Sequence, residues 1–368
     1  MSGEGPGLLH LLDAETLGGG LVAIYGTHLA ANPLEECLLG PSPQKKPVIP
    51  GHQAKHSRIV RDGTTARDKG AIGNQTQSLD RSRSQRILWL LEELRLTYEI
   101  QPYKRDATQR APAALKHLHP LGKSPVLSIA PPPASAHQQP QAPLILAESA
   151  AIIEYLVDHF LPPPAPGADP HPPPKLTLPP RWTAGRENQP GGETAAWLRY
   201  RYLMHYAEGS LMPLVVVRVL MDGKDGESRS ADNLVAGMGW DGCVVVQTAP
   251  APFFVKPVLG LVPAIVNREY TRPNLETHFG FLEAQLERIA GVGAAAAAPP
   301  PAYLTGTRFT PADILMSYPL VIAEEIKAID PDRFPRLRGY VKGLRGMEGY
   351  RRAVQVLEEV EGQEYRPF

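Results

Sequence analysis

Residues 81–100 read RSRSQRILWLLEELRLTYEI. Ile87, Leu90, Leu91 and Leu94 recur at i, i+3, i+4 and i+7, which places four apolar side chains on one face of an α-helix. Glu92, Glu93 and Arg95 fall off that face. The TYEI that follows reads as the start of a strand. Working outward, a short helix is expected near Pro112–His117, a strand at VLSI (126–129) directly after a proline, and another at LILA (144–147). ESAAIIEYLVDHF (148–160) then reads as a helix with Ile152, Ile153, Leu156 and Phe160 turned inward. Helix, strand, helix, strand, strand, helix is an α/β domain of about 80 residues, provided a strand upstream opens it.

Beyond this domain the texture is helical. TAAWLRYRYLMHYAEGSLMPLVVVRVLMD (194–222) is a long amphipathic stretch in which Pro213 predicts a kink. Helical patterns return at Phe253–Val266, Asn274–Ile289, Pro311–Ala328 and Phe334–Leu357, the last divided near Gly346. An α/β unit followed by an all-α helical bundle is the expected architecture.

The chain has 40 prolines and 33 glycines in 368 residues. That is about a fifth of the sequence, against roughly 12% on average, and it excludes one uninterrupted compact fold. Nineteen of the prolines sit in three places: 131–143, 161–190 and 291–301. Each reads as a loop or polyproline spacer. The expected organisation is an extension without stable structure over 1–70, an α/β domain over 71–160, a Pro-rich linker over 161–192, and an all-α domain over 193–360. Residues 223–250 read as an inserted loop.

Thirty-eight basic residues balance 38 acidic ones, with a pI near 7.2. This argues against a nucleic-acid partner held by bulk charge. Two cysteines, Cys37 and Cys243, cannot build a disulfide framework or a four-thiolate metal site. No apolar run reaches the roughly 18 residues of a membrane span, so no membrane span is expected. The start lacks a basic region ahead of its apolar stretch, and a cytoplasmic setting is expected.

Three words carry candidate chemistry: SRSQR at 82–86, HPLGKSPVL at 119–127, and AESAAIIEYL from Ala147. Taken in order with HYAEGSLMP (205–213) and YLTGTRFTPADIL (303–315), they resemble the cytosolic glutathione S-transferases, particularly the fungal branch. The resemblance covers 78–160 and most of 193–360. It implies a thioredoxin-like first domain, glutathione as co-substrate with no other cofactor and no metal, an apolar electrophile as second substrate, and a homodimer active in detoxification.

It also implies roles for individual residues. A free thiol titrates near 8.5, and a hydroxyl donated to sulfur beside a helix N-terminus favours the thiolate. Ser82 matches the position of that hydroxyl in serine-using members. Ser82-x-x-Gln85 is equally a helix capping box, and Ser84 takes the part if the helix begins two residues later. Pro125 resembles the family's cis-proline, which would present the main chain of Val126 to the cysteinyl part of glutathione. Ser124 lies in the same word. Glu148 and Ser149 resemble the pair that takes the γ-glutamyl end, and also read as an N-cap with a dipole-compensating acid. Lys123 would meet the glycyl carboxylate. Arg86 reads as a structural ion-pair partner, and Thr310–Asp313 as a buried capping box that starts a core helix. Tyr202, His205 and Tyr206 would face the acceptor pocket, or would simply be core.

Two departures stand beside the resemblance. The residues before Ser82, AIGNQTQSLD, are polar where a central strand should be apolar, so either this strand is poor or GLVAIY (20–25) replaces it. Residues 1–70 and 223–250 match nothing in the family and read as altered exon joining. A glutathione-binding protein without transferase activity is the alternative function. A thiol–disulfide oxidoreductase would need a cysteine at the first helix, and 78–90 contains none.

Overall fold

In the computed structural model the described residues are 59–61, 74–79, 82–105, 111–130, 142–161, 176–222, 263–292 and 303–367. GLVAIY, both cysteines, the 223–250 insertion and much of the three proline stretches lie outside them.

Five strands form one sheet in the order β1-β3-β2-β4-β5. They are β1 (Ile59–Arg61), β2 (Asn74–Leu79), β3 (Tyr98–Tyr103), β4 (Val126–Ile129) and β5 (Leu144–Ala147). Helix α1 (Ser84–Leu94) joins β2 to the parallel β3. The short α2 (Ala113–Lys116) precedes β4, and α3 (Ser149–Phe160) follows β5. Ile59–Arg61 lies inside the stretch expected to lack structure, yet it pairs antiparallel with β3 at the sheet edge.

The polar NQTQSL is the central strand, and no upstream segment is needed. Its main chain is paired on both sides, Asn74–Leu79 with Tyr98–Tyr103 and Asn74–Gln77 with Ile129–Val126. Backbone donors and acceptors are thereby satisfied whatever the side chains are. The penalty falls on the side chains. Thr76 Oγ1, Gln77 Oε1 and Ser78 Oγ are buried without a hydrogen-bond partner, at about 1–3 kcal/mol each.

Helix α1 is buried on more than the face its periodicity marks. Every residue from Ser84 to Leu91 is buried, because α1 packs against β2 and α3 and also against two helices of the second half. Trp89 stacks on Phe309 and meets Tyr350 edge-on, with ring centroids 5.5 and 5.2 Å apart. Gly349 makes this approach possible: a Cβ there would lie 3.0 Å from Trp89 Cδ1 and 2.1 Å from Glu93 Oε1.

The second half is helical: α4 (Ala195–Tyr206), α5 (Met212–Asp222), α6 (Arg272–Val292), α7 (Pro311–Glu325), α8 (Pro335–Arg345) and α9 (Glu348–Glu361). At Pro213 the chain does not break. A π-helical segment, Ala207–Leu211, carries α4 into α5, and a second one, Asn267–Thr271, precedes Pro273 in the same register. In each case the proline has no N–H for the carbonyl four residues back and crowds it, and the wider turn takes up the misfit. Among the described residues one helix, Ala195–Met221, is long and apolar enough to cross a membrane, with mean hydropathy 1.2 and 56% of the stretch buried. Its apolar sequence is interrupted at Arg199, Arg201, Glu208 and Arg218.

Helix α7 is the core of the bundle and is buried from Pro311 to Ala323. Asp313 Oδ2 accepts from Thr310 N and Oγ1 at 2.8 and 2.7 Å, and Oδ1 accepts from Leu304 N and Tyr340 OH. The capping-box reading of Thr310–Asp313 thus describes a wholly buried carboxylate with both oxygens occupied.

Candidate active site

The site grows from the N-terminus of α1. Its first helical residue is Ser84, and the preceding Arg83 has no side-chain cap. The Ser82–Gln85 capping box is therefore not formed. Ser82 Oγ instead accepts from Ser84 N at 3.3 Å and bonds Ser84 Oγ at 2.8 Å. Ser84 Oγ continues to Ser124 Oγ at 2.7 Å, and Ser124 Oγ donates to the carbonyl of Gln77 at 3.0 Å, with Ser84 Oγ 3.4 Å from the same carbonyl. Three hydroxyls from two separate words of sequence thus form one row at the end of β2.

Ser124 opens onto a cavity of about 240 Å³. Lys123, Ser124, Pro125, Glu148 and Ser149 all line it, with Arg83, and with Glu208, Met212, Pro213 and Val216 across from them. The Ser124–Pro125 peptide is cis. Ser82 and Ser84 lie behind this lining and are buried. Val126 does not line the cavity, because it is the first residue of β4 and is registered with Gln77 on one side and Ala147 on the other.

Glu148 occupies φ 70°, ψ 121° at the start of α3 and makes no side-chain cap. A β-carbon in that region is strained, and the exposed carboxylate borders the cavity. Ser149 is buried and its Oγ accepts from Arg86 Nη2 at 3.0 Å. Arg86 also donates from Nη2 to Glu208 Oε1 at 2.7 Å and from Nη1 to the Leu315 carbonyl at 2.9 Å. Arg83 Nε reaches both oxygens of Glu208 at 3.2 Å. Burial works against charge on Glu208, yet Arg86 and Arg83 hold its carboxyl below the ordinary carboxylate range. Arg86 is lowered by burial and supported by Glu208, and a guanidinium remains charged there. Two arginines against one carboxylate leave the mouth of α1 net positive, and the helix N-terminus adds to that field.

Tyr202, His205 and Tyr206 do not line this cavity. Tyr206 OH bonds His278 Nδ1 at 2.5 Å, and Tyr202 and Tyr206 stack with Phe281 beside them. Glu208 is the residue sequence reasoning passed over. It is the single acid between Ala195 and Met221, and an acid in an apolar helix needs a partner. Among the described residues no group of three or more His, Cys, Asp or Glu could hold a metal ion.

A mixed sheet whose central strand is followed by a helix and a parallel neighbour, with a cis-proline opening the next strand, is a thioredoxin-like domain, here followed by an all-α domain. Residues 81–159 match the family model for the glutathione S-transferase N-terminal domain. Glutathione S-transferase 1 of Saccharomyces cerevisiae is 28% identical over 273 residues, 74% of this chain and 90% of that one. Glutathione S-transferase 3 of Schizosaccharomyces pombe is 34% identical over 145 residues, 39% of this chain and 45% of its own. A solved glutathione transferase homolog from Lodderomyces elongisporus, with two GSH per subunit, is 17% identical with a TM-score of 0.48, covering 77% of this chain and 98% of that one.

Proposed function

We propose that the protein is a glutathione transferase that joins reduced glutathione to apolar electrophiles, with Ser82 acting on the thiolate through Ser84 and through Ser124, the end of the row that opens onto the cavity. The observation that carries this reading is the row of hydroxyls from Ser82 to Ser124 at the start of α1, ending at a cavity bordered by Glu148 and Ser149. A hydrogen bond to a charged group contributes about 1.5–3 kcal/mol, which corresponds to a thiol pKa lowered by about one to two. In the reaction the thiol proton leaves to solvent, sulfur forms a bond to carbon, and the leaving group departs with its electron pair.

The cavity supplies groups for the rest of glutathione. The Glu148 carboxylate suits the γ-glutamyl ammonium, and the Ser149 end of α3 suits the neighbouring carboxylate. Lys123 suits the glycyl carboxylate. Ser124 and Pro125 border the cavity where the cysteinyl part would lie, with Val126 in the sheet behind them. A cytoplasmic homodimer acting in detoxification belongs to the same reading, supported by the exposed apolar side chains of Leu198, Tyr202 and Phe281 on α4 and α6.

The test is a glutathione titration of wild type, Ser82→Ala and Ser84→Ala, following binding and turnover of an aryl halide together. Turnover lost in Ser82→Ala with binding retained supports the role. Unchanged turnover moves it to another hydroxyl. Binding by wild type without any turnover would select the non-catalytic glutathione-binding reading instead.

A further inference from the structure

The hydroxyl-lined cavity is not the roomiest in the molecule. One of about 750 Å³ lies between α5, α6 and the 327–334 turn, and it is rich in arginine. Its basic residues are largely answered from within: Arg272 and Arg333 both pair with Glu276, and Glu324 and Asp330 also line it. Another cavity, of about 450 Å³, differs in kind. It sits between the first turn of α4, the last turns of α6 and the segment leading into α7. Arg199, Arg288 and Arg308 enter it from those three elements, and among the described residues no carboxylate lines it.

Guanidinium groups gathered in one concavity with no carboxylate among them make a local positive field that attracts an anion. Arg199 is half-buried, and burial together with the charge of Arg288 holds it below the ordinary arginine range. Its Nη1 is steered by the Thr305 carbonyl at 3.2 Å. Among the described residues Arg288 and Arg308 make no ion pair, and both are exposed. The buried Thr177 Oγ1 on the same lining has no hydrogen-bond partner. The remaining surface is apolar: Pro179, Pro180, Ala195, Ala196 and Ile289. Guanidinium forks match the oxygens of phosphate and carboxylate. Three forks from three elements suit a tetrahedral group better than a flat one, and the apolar side asks for a hydrophobic body on it.

We infer that this cavity is a second binding site, separate from the hydroxyl-lined one, for an organic phosphate monoester: a dianion held by Arg199, Arg288 and Arg308 with an apolar group laid against Pro179, Pro180 and Ile289. The site is independent of the transferase reading and stands or falls without it.

Calorimetric titration of the full chain with phenyl phosphate, inorganic phosphate and benzoate tests the assignment. Phenyl phosphate binds saturably with one site per chain and more tightly than either of the others, and the affinity falls as salt rises. Arg288→Gln and Arg308→Gln, both exposed, each weaken it at least tenfold, while Arg338→Gln in the larger basic cavity leaves it unchanged. Arg199→Gln weakens it as well, with circular dichroism confirming an intact fold. Absence of saturable binding, equal affinity for inorganic phosphate, indifference to both exposed substitutions, or displacement of phenyl phosphate by glutathione would each overturn the proposal.

Discussion

Arg86 on α1 donates to the carbonyl of Leu315 on α7 at 2.9 Å, across 229 positions of sequence. Four residues after Leu315 stands Pro319, inside the helix. Proline has no N–H, so the Leu315 carbonyl lacks its helical donor. A guanidinium from the other domain replaces it. The same side chain holds Ser149 and Glu208, so one buried group joins the start of α1, the start of α3, the π-helical segment and α7.

Arg86→Met should therefore be among the most damaging substitutions in the chain. It removes the donor from a buried carbonyl and strips Glu208 of its closest cation. Breaking a buried pair by removing one partner costs about 3–5 kcal/mol. Urea unfolding should show a midpoint shift of that size, and Arg86→Lys should recover only part of it, because an ammonium lacks the planar fork.

The stability of the domain junction should depend on acid. The Glu208 carboxyl is held below its ordinary range in the fold by Arg86 and Arg83, against the effect of burial. Its contribution is therefore fully present above the unfolded value of about 4.3 and is lost as pH falls through the lower folded value. Unfolding midpoints measured from pH 6 downward should fall less steeply in Glu208→Gln than in wild type. Equal slopes would mean that the carboxylate does not couple to folding.

The central strand offers a stabilising change. Thr76 Oγ1 and Ser78 Oγ are buried without partners, and replacing each hydroxyl by a group of similar shape removes a desolvation penalty of about 1–3 kcal/mol. Thr76→Val and Ser78→Ala should each raise the Tm by about 2–4 °C per kcal/mol gained, read by differential scanning calorimetry. A lower Tm in both would show that these hydroxyls are satisfied in solution.

Removing the hydroxyl proposed to face sulfur should move a pH profile as well as a rate. In Ser124→Ala, which removes the hydroxyl that opens onto the cavity, the acid limb of kcat/KM should shift upward by about one pH unit or more, the equivalent of one charge-assisted hydrogen bond. Ser82→Ala, at the buried end of the row, should shift it less. A profile that moves in neither variant would take the serine row out of the chemistry.

Local physics made much of this protein legible. The i, i+3, i+4, i+7 spacing in ILWLLEEL marked α1. VLSI, LILA and SAAIIEYLVDHF form elements where their pattern puts them. Such features depend on residues a few positions apart, so a linear reading finds them. The polar β2 was harder, since a strand paired on both edges tolerates side chains that propensity disfavours.

Residues 82–94 determined by themselves that a helix stands here, and the resemblance made Ser82 and Ser84 its candidate chemistry. Only the tertiary structure decided what those side chains do. It buried α1 on several faces, diverted Ser82 from a cap into a row of hydroxyls, and brought Glu208 and the proline-orphaned Leu315 carbonyl to Arg86. The physical reason is desolvation. Once both domains exclude water from the start of α1, a polar group there is costly unless it finds a partner, and the partners of Ser84 and Arg86 come from segments whose proximity no local pattern encodes.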